Sequence, residues 1–497
     1  MSYLPIPNYI IIEIFNHLVG IKLFAAERIQ LRLIAKLRLI SKDWNENVIP
    51  RIQFNQLSIK LKKGRNFGIV KKLLSMGICG FNLEINSKWF SEIVDYLTQS
   101  KSQCKVSIML DLGISSTPEE HWNIIRNSNL LIDFVIFGST DSLYHNSPPS
   151  IDAFIGVKHI ELSNLGISPN MLIKYVEIIQ PENFQLRSTP YTYDNYNHVD
   201  SLFDHIATKN KSITYLSNYN YTVLPTMRTI INLLNCNKTL KEFRITSLVV
   251  DTETHWEIHN STLELVSYQL LIPLWKSDSK LTIIDFFDFG PQIFEMIPKY
   301  FKNLKQLVFT IKTENQHLLS EIIKLNCSIE DLTVHTTYSY KDLYNQKIID
   351  SLSQNNHLKS LNIGHAYNDF ISKFFKLNHP TISNLIVIPE NHNFLLDVEN
   401  DLIMNKTLKV LICKHMPNFV KDSLYLEILS TIISILEKNN NIIVFQYPYL
   451  SQNDLPTDKF VKISNLINNN NSLLKLDIFT SFIPKIKSLL DNKFIIN

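Results

Sequence analysis

Two pairs of residues in this chain have spacings that occur in catalytic or ligand-binding motifs. His255 and His259 are four residues apart, which would place two imidazoles on one face of a helix. The zinc-protease motif also needs a glutamate directly after its first histidine, whereas Glu257 stands two residues after His255. Gly64 and Gly68 lack the Gly-Lys-Ser/Thr ending that holds phosphate and Mg²⁺. We therefore predict no metal, no cofactor and no catalytic residue, and we expect the protein not to be an enzyme.

Charge and cysteine content narrow the classes of partner. The chain has 49 Lys and Arg against 46 Asp and Glu, with no basic block. Nucleic-acid binding needs clustered cations, so we expect no nucleic-acid partner. The 5 cysteines are far apart and form no Cys-x-x-Cys pair, which favours buried, reduced thiols. No stretch has the pattern of a signal peptide or the length of a membrane span, so we expect a cytoplasmic or nuclear protein with no membrane association.

The helices and strands of this chain are predicted from a sequence repeat. In Asn405–Cys413, an asparagine turn is followed by a short strand with apolar residues at the spacing φ-x-x-φ-x-φ. Near-copies begin at Asn237, Asn326, Asn355 and Asn470. The first apolar residues of most successive copies are 23 to 31 residues apart, and one such unit cannot bury its own apolar face without stacking on its neighbours. The fold class is therefore predicted as α/β, a solenoid of strand–helix repeats.

This pattern resembles the irregular leucine-rich repeats of about 26 residues. The resemblance implies a curved, horseshoe-shaped solenoid. In that family an asparagine or cysteine follows the last strand leucine, and these residues supply a ladder inside the solenoid. That asparagine or cysteine is mostly absent here, so the ladder lacks its usual residue. Asn-x-Ser/Thr recurs at one repeat phase instead, for example at Asn237 and Asn405. We interpret these asparagines as structural, in the left-handed conformation that ends a helix.

The strand pattern also predicts a binding face. Residues between the core positions of each strand should lie on the concave face, and several of them are apolar between Leu281 and Phe479. Exposed apolar surface of this kind is typical of a protein partner. The alternative is that loops or helix ends cover these side chains. The candidate target-binding residues are Asp285, Phe287, Val308, His335, Ile386, Ile412, Lys414 and Asp477.

Before the repeats, the chain begins with two apolar helical patterns. One follows Pro7, and the other is predicted over Leu37–Val48, ending at Pro50. Ile29–Lys36, between them, is also helix-like.

These segments resemble the F-box, in Ile6-Pro7, in Ile14-Phe15-x-x-Leu18 and in Leu37-Arg through Ser-Lys-x-Trp44. The resemblance implies an F-box-like helical domain over residues 1–52 before a repeat domain over 53–497. It also implies docking to an Skp-type adaptor of a cullin–RING ubiquitin ligase, with a protein target on the repeats. The alternative is a ligase-independent scaffold whose N-terminal helices only cap the solenoid. Removal of these helices should distinguish the two interpretations. The candidate adaptor-binding residues are Ile6, Pro7, Ile10, Ile14, Phe15, Leu18, Leu37, Ile40 and Trp44.

Overall fold

The architecture is taken from a computed structural model of the full chain. The structure describes residues 7–20, 27–54, 57–61, 67–78, 81–86, 92, 96, 107–113, 134–138, 151–163, 169–187, 199–219, 224–250, 256–276, 279–286, 291–311, 316–324, 328–336, 346–389, 391, 393–414, 422–450, 457–470, 472–473 and 475–479. The chain divides into unit 1, Met1–Glu257, and unit 2, Ile258–Asn497.

Unit 1 consists of a helical N-terminal segment and strand–helix repeats. Its described strands pair in parallel, each with the next along the chain. They are β1 (Ser58–Leu61), β2 (Asn82–Asn86), β3 (Ser107–Gly113), β4 (Phe134–Gly138), β5 (His159–Ser163), β6 (Asn183–Arg187), β7 (Tyr215–Tyr219) and β8 (Glu242–Ile245). The described α-helices are α1 (Asn8–Gly20), α2 (Glu27–Leu37), α3 (Phe67–Ser75), α4 (Pro169–Ile179), α5 (Asp200–Thr208) and α6 (Met227–Cys236).

Unit 2 has the same organisation, and its described strands also pair in parallel in chain order. They are β9 (Leu265–Ser267), β10 (Ile283–Phe286), β11 (Gln306–Ile311), β12 (Asp331–Thr336), β13 (Ser360–Ala366), β14 (Asn384–Pro389), β15 (Val410–Cys413), β16 (Val444–Leu450) and β17 (Lys475–Phe479). The described helices are α7 (Pro291–Tyr300), α8 (Gln316–Lys324), α9 (Gln346–Gln354), α10 (Asn368–Leu377), α11 (Phe394–Met404), α12 (Asp422–Lys438) and α13 (Thr457–Asn469). The α/β class and the strand–helix repeat are confirmed.

The core of each unit is built from the apolar positions of the repeat. In the repeat that ends with β15, Leu408, Leu411 and Cys413 are buried, while Val410 and Ile412 between them are half-buried. Side chains alternate between the two faces of a strand, so Leu411 and Cys413 face the core and Ile412 faces the opposite side of the sheet. We call that opposite side the open face.

A buried polar ladder aligns several of the repeats at the turn before the strand. The Oδ1 atom of Asn405 accepts hydrogen bonds from the backbone N–H groups of Thr407 (3.1 Å) and Leu408 (2.9 Å). Its Nδ2 donates to the carbonyl of Phe375, near the end of α10 in the preceding repeat (2.8 Å). Equivalent buried side chains are those of Asn237, Asn260, Asn355, His379, Asn439 and Asn470.

The backbone conformation predicted for these asparagines is wrong. Asn237 (φ −75°, ψ 125°) and Asn405 (φ −72°, ψ 123°) are extended, not left-handed. Asparagine suits this position because its side chain bonds both to its own turn and to the preceding repeat, and not because it tolerates positive φ. The internal ladder is present, but its residues precede the strand.

Two other expectations also need correction. The helix predicted over Leu37–Val48 is broken: α2 ends at Leu37, and a π-helical turn, Trp44–Val48, follows a separate turn. The Ser41 hydroxyl accepts from the backbone N–H of Trp44 (3.1 Å), so this serine begins a new helical turn. Cys236 is exposed, not buried, since it occupies the last turn of α6.

Leu240 and Leu281 begin two successive copies of the sequence pattern that are further apart than most, and the structure has an additional strand, β9, between them. Asn260 accepts from the backbone N–H groups of Thr262 and Leu263, and β9 follows directly. The Asn-Ser-Thr-Leu turn was the signal for this repeat, because it has the same hydrogen bonds as the other turns.

Candidate functional site

Two surfaces of the described chain have features of binding sites, and the first lies in the N-terminal helices. The ring of Phe15 in α1 meets the Trp44 ring edge-on, with centroids 5.8 Å apart. Asn8 donates to Asp43 (3.1 Å), and Asn16 accepts from the backbone N–H of Gln53 (2.8 Å). These contacts hold α1 against the Trp44–Val48 turn.

This N-terminal segment also packs on the first repeat. Val48, Ile49, Ile52 and Phe54 are almost completely buried. A Cβ added at Gly77 would lie 3.5 Å from the Cβ of Pro50, so the proline ring already approaches this glycine closely. Gly77 has φ +72°, a conformation that favours glycine. The inner side of the helical segment therefore covers the beginning of the solenoid.

The same segment also exposes several large apolar side chains. Tyr9 is 68% exposed, Ile14 48% and Leu39 84%. Ile10 and Ile40 are also among the exposed large apolar side chains, and together these five residues form what we call the outer surface. Ile10 and Ile14 are one helical turn apart on α1, so they share a face. Leu39 and Ile40 lie in the turn before Trp44, which contacts α1 through Phe15.

The predicted adaptor-binding residues do not all lie on the outer surface. Ile10, Ile14 and Ile40 belong to it, and Pro7 is exposed beside it in sequence. Leu37 is buried, while Phe15 and Trp44 are half-buried against each other. Ile6 lies outside the described residues, and the side chain of Leu18 is not among those described. Sequence reasoning missed Tyr9 and Leu39, which are exposed apolar residues next to Ile10 and Ile40 in the chain.

The second surface is a row of side chains across the open face of unit 2. The register aligns one residue from each of eight successive strands, and we call this set the central row. Its members are Asp285, Val308, Thr333, Asn362, Ile386, Ile412, Gln446 and Asp477. Those whose side chains are described, all except Asp477, are half-buried.

The central row is apolar at intervals and polar between them. Val308, Ile386 and Ile412 expose part of their side chains, and Ile386 and Ile412 are direct neighbours in register. Asn362 donates to the Thr333 hydroxyl (3.3 Å), which fixes one polar pair in the row. Apolar groups with hydrogen-bonding groups between them are the composition expected of a protein interface.

Titratable groups border the central row. His335 and Lys414 are exposed at the carboxyl ends of their strands. Partial burial lowers the pKa of His335, the Lys414 ammonium lowers it further, and the Asp285 carboxylate opposes both effects. The three groups therefore interact electrostatically across the open face. Phe287, the remaining predicted target-binding residue, lies outside the described residues.

The described residues contain little that points to chemistry. Among them, no three His, Cys, Asp or Glu side chains are grouped to hold a metal ion, and His255 lies outside the described ranges. Within those ranges, every helix is too short or too polar to cross a membrane. What the described surfaces can do is bind, through apolar burial and hydrogen bonding.

Comparisons with known proteins give a distant structural likeness. No protein-family model matches the chain, and no curated protein matches it. One solved structure to which it is similar is described as "Crystal structure of TLR13-ssRNA13 complex", with a TM-score of 0.33 and 12% sequence identity. The match covers 86% of this chain and 65% of the other, so this chain spans less than two thirds of that neighbour's length. Likeness at this level does not bear on what the chain binds.

Proposed function

We propose that this chain is the substrate-recognition subunit of a cullin–RING ubiquitin ligase. The outer surface docks an Skp-type adaptor, and the open face of unit 2 binds a protein target. Ubiquitin transfer belongs to partner subunits, so the chain itself supplies binding and positioning. The proposal rests on the F-box resemblance of residues 1–52 together with the exposure of Tyr9, Ile10, Ile14, Leu39 and Ile40.

The exposed apolar side chains are the observation that carries this proposal. A segment that only caps a solenoid buries its inner side and keeps its outer side polar, because exposed apolar surface lowers solubility. Here the inner residues are buried, as in a cap, but the outer side carries five exposed apolar side chains. A partner that covers these side chains explains why they are apolar, while the solenoid explains why the inner residues are buried.

The test is adaptor binding by the full chain and by two matched variants. Ile14→Asp changes an outer-surface residue that is 48% exposed, so it should abolish capture of a purified Skp-type adaptor without unfolding the chain. Met404→Asp changes an apolar residue that is 66% exposed on a repeat helix, and it should leave capture unchanged. Failure of the unaltered chain to capture the adaptor, or equal loss by both variants, would overturn the proposal.

A ligase-independent scaffold is the second candidate, favoured by the buried contact of the N-terminal segment with the first repeat. Deletion of residues 1–50 exposes that contact, so it lowers stability under either function. The surface variant Ile14→Asp leaves the contact in place and therefore separates the two candidates. If the scaffold interpretation is correct, this variant keeps every partner of the chain.

A further inference from the structure

A group of apolar side chains lies on the open face of unit 2 at β14 and β15. Each of them stands between core residues of its strand, and each is half-buried. The register places Ile386 directly beside Ile412. We call this set the apolar cluster: Ile386, Ile388, Val410 and Ile412. Apolar side chains on the open side of a sheet stay partly in water until another surface covers them.

Lysines border the apolar cluster at the amino ends of the strands. Lys359, Ser383 and Lys409 are aligned there, because the backbone N–H of Ser383 donates to the carbonyl of Lys359 (3.0 Å) and that of Lys409 to the carbonyl of Ser383 (2.8 Å). Both lysines are exposed, and Ser383 between them is half-buried. Ser383 and Lys409 each stand three residues before a member of the apolar cluster, which is about 10 Å along a strand.

The same alignment shows which group fits between two lysines. Glu330 occupies the position between Lys305 and Lys359, and its carboxylate accepts from both ammonium groups (2.7 and 2.6 Å). Ser383 has the equivalent position between Lys359 and Lys409, but its hydroxyl carries no charge. A carboxylate that reached Ser383 from another molecule would repeat the arrangement around Glu330.

The chain itself supplies no carboxylate at that position. The strands β13 to β15 and the turns directly before them contain no aspartate or glutamate, and Lys406 adds another exposed ammonium group. Glu330 is already paired, and its neighbour Asp331 is hydrogen-bonded to the start of β13. Asp401, in the last turn of α11, is paired with Lys376 (3.5 Å), and the last turn of α12 carries one charge of each sign. The amino ends of β14 and β15 therefore have a positive excess.

The composition of this surface favours a protein segment over a nucleic acid. The described open-face side chains of β13 to β15 include neither an arginine nor a Phe, Tyr or Trp that could stack on a base. Half-buried aliphatic side chains with hydrogen-bonding and charged groups beside them are instead typical of a protein interface.

We propose that this part of the open face recognises an acidic protein segment. Apolar side chains of the segment cover the apolar cluster, and an aspartate or glutamate lies over Ser383, where it accepts hydrogen bonds from Lys359 and Lys409. The two lysines determine specificity, because a basic segment would be repelled. This inference rests on the proposal that the open face of unit 2 binds a protein target, and it adds the chemical class of that target.

Selection from a random peptide library displayed on phage, with the full chain as bait, tests this inference. Peptides that bind the full chain but not Ile386→Asn/Ile412→Asn should be enriched in Asp and Glu over the starting library. This variant is neutral, so the subtraction does not itself favour acidic peptides. Ile412→Thr, which keeps a branched strand residue, replaces it if its melting curve shows that it is unfolded.

The same selection on Lys359→Gln/Lys409→Gln should lose the enrichment, because no ammonium group then flanks Ser383. Equal frequencies of acidic and basic residues in the peptides selected by the unaltered chain overturn the inference. An acidic enrichment that the double lysine variant retains overturns it as well.

Fluorescence anisotropy with a selected acidic peptide then measures each lysine. Lys359→Gln and Lys409→Gln should each weaken binding by about threefold or more, and about 1 M NaCl should weaken it too, because exposed ion pairs are screened. Lys373→Gln is the matched control, since Lys373 lies on α10 and pairs with Asp369 (2.8 Å). Equal weakening by all three variants contradicts the role of Lys359 and Lys409.

The outcomes separate this inference from the proposed function. Peptides that depend on Ile386 and Ile412 without being acidic overturn the inference and leave target binding by the open face in place. If no peptide depends on these residues, the target-binding proposal fails together with this inference. Adaptor capture is measured separately with Ile14→Asp, so its failure overturns the ligase role alone.

Discussion

At the scale of single residues, the buried ladder explains why asparagine recurs before the strands. Asn439 is 2% exposed, and its Nδ2 donates to the carbonyls of Leu402 (2.7 Å) and Asn405 (2.8 Å). Its Oδ1 accepts from the backbone N–H of Asn441 (2.9 Å). A buried carbonyl or N–H that loses its partner is costly because water cannot replace it. The ladder therefore couples each repeat that carries such a residue to the one before it.

Asn439→Ala should lower the free energy of unfolding by about 2–4 kcal/mol, because it leaves several buried backbone groups without partners. Asn440→Ala is the control, since Asn440 is the adjacent residue of the same type and is exposed. Urea denaturation followed by circular dichroism measures both variants. Equal stability of the two variants would show that the ladder contributes nothing.

His379 makes the ladder sensitive to acid at one repeat. Its Nδ1 accepts from the backbone N–H groups of Thr381 (3.2 Å) and Ile382 (3.1 Å), while its Nε2 donates to the carbonyl of Leu352 (2.9 Å). Only the neutral ring with its proton on Nε2 can make all three bonds. Burial lowers the pKa of His379 below its usual value, and the hydrogen bond to Leu352 only partly opposes this.

The lowered pKa predicts the direction of a pH effect. Above pH about 6.5, His379 is neutral in both folded and unfolded chains, and its contribution to stability is complete. As the pH falls below that value, the unfolded chain binds the proton first, so stability decreases. His379→Asn should keep the ladder bonds but remove this decrease between pH about 7 and 5, as measured by urea midpoints. His357→Asn, at an exposed position, should leave it unchanged.

At the scale of elements, side-chain pairs at the starts of the strands add to the backbone pairing. Glu330, just before β12, accepts from Lys305 Nζ (2.7 Å) before β11 and from Lys359 Nζ (2.6 Å) before β13. The two lysines lower the pKa of Glu330 to about 2. One carboxylate thus connects three successive repeats at the amino ends of their strands.

Glu330→Gln should lower the melting temperature at pH 7 and low salt. The ion pairs are present above the usual glutamate pKa and are lost as the pH falls towards about 2, so the difference from the unaltered chain should shrink in acid. It should also shrink in about 1 M NaCl, because these groups are solvent-accessible and screened. Glu321→Gln is the control, since Glu321 pairs only locally with Lys324 on α8. A melting-temperature difference that is independent of both pH and salt would contradict this role.

At the scale of the whole molecule, the sequence predicted what depends on apolar spacing. The period placed most strands because a parallel strand must bury alternate residues, as Leu411 and Cys413 do. The break between α2 and Trp44 was missed because the apolar pattern continues through Leu39 and Ile40 although neither is buried. The ladder was misread because side-chain bonding partners in a neighbouring repeat leave no local pattern around Asn405.

The central row was accessible to sequence reasoning because alternation within each strand identifies its members. Which of its side chains bind a target remains a prediction.

The central claim is that one chain carries two independent protein-binding surfaces, and a reciprocal binding measurement tests it most directly. The full chain, Ile14→Asp and the double variant Ile386→Asp/Ile412→Asp are immobilised, and the bound adaptor and target proteins are quantified by mass spectrometry. Each variant should lose one partner and keep the other, because Ile14 lies on the outer surface and the other two lie half-buried on the open face. Loss of both partners by either folded variant, or retention of both, would contradict the account.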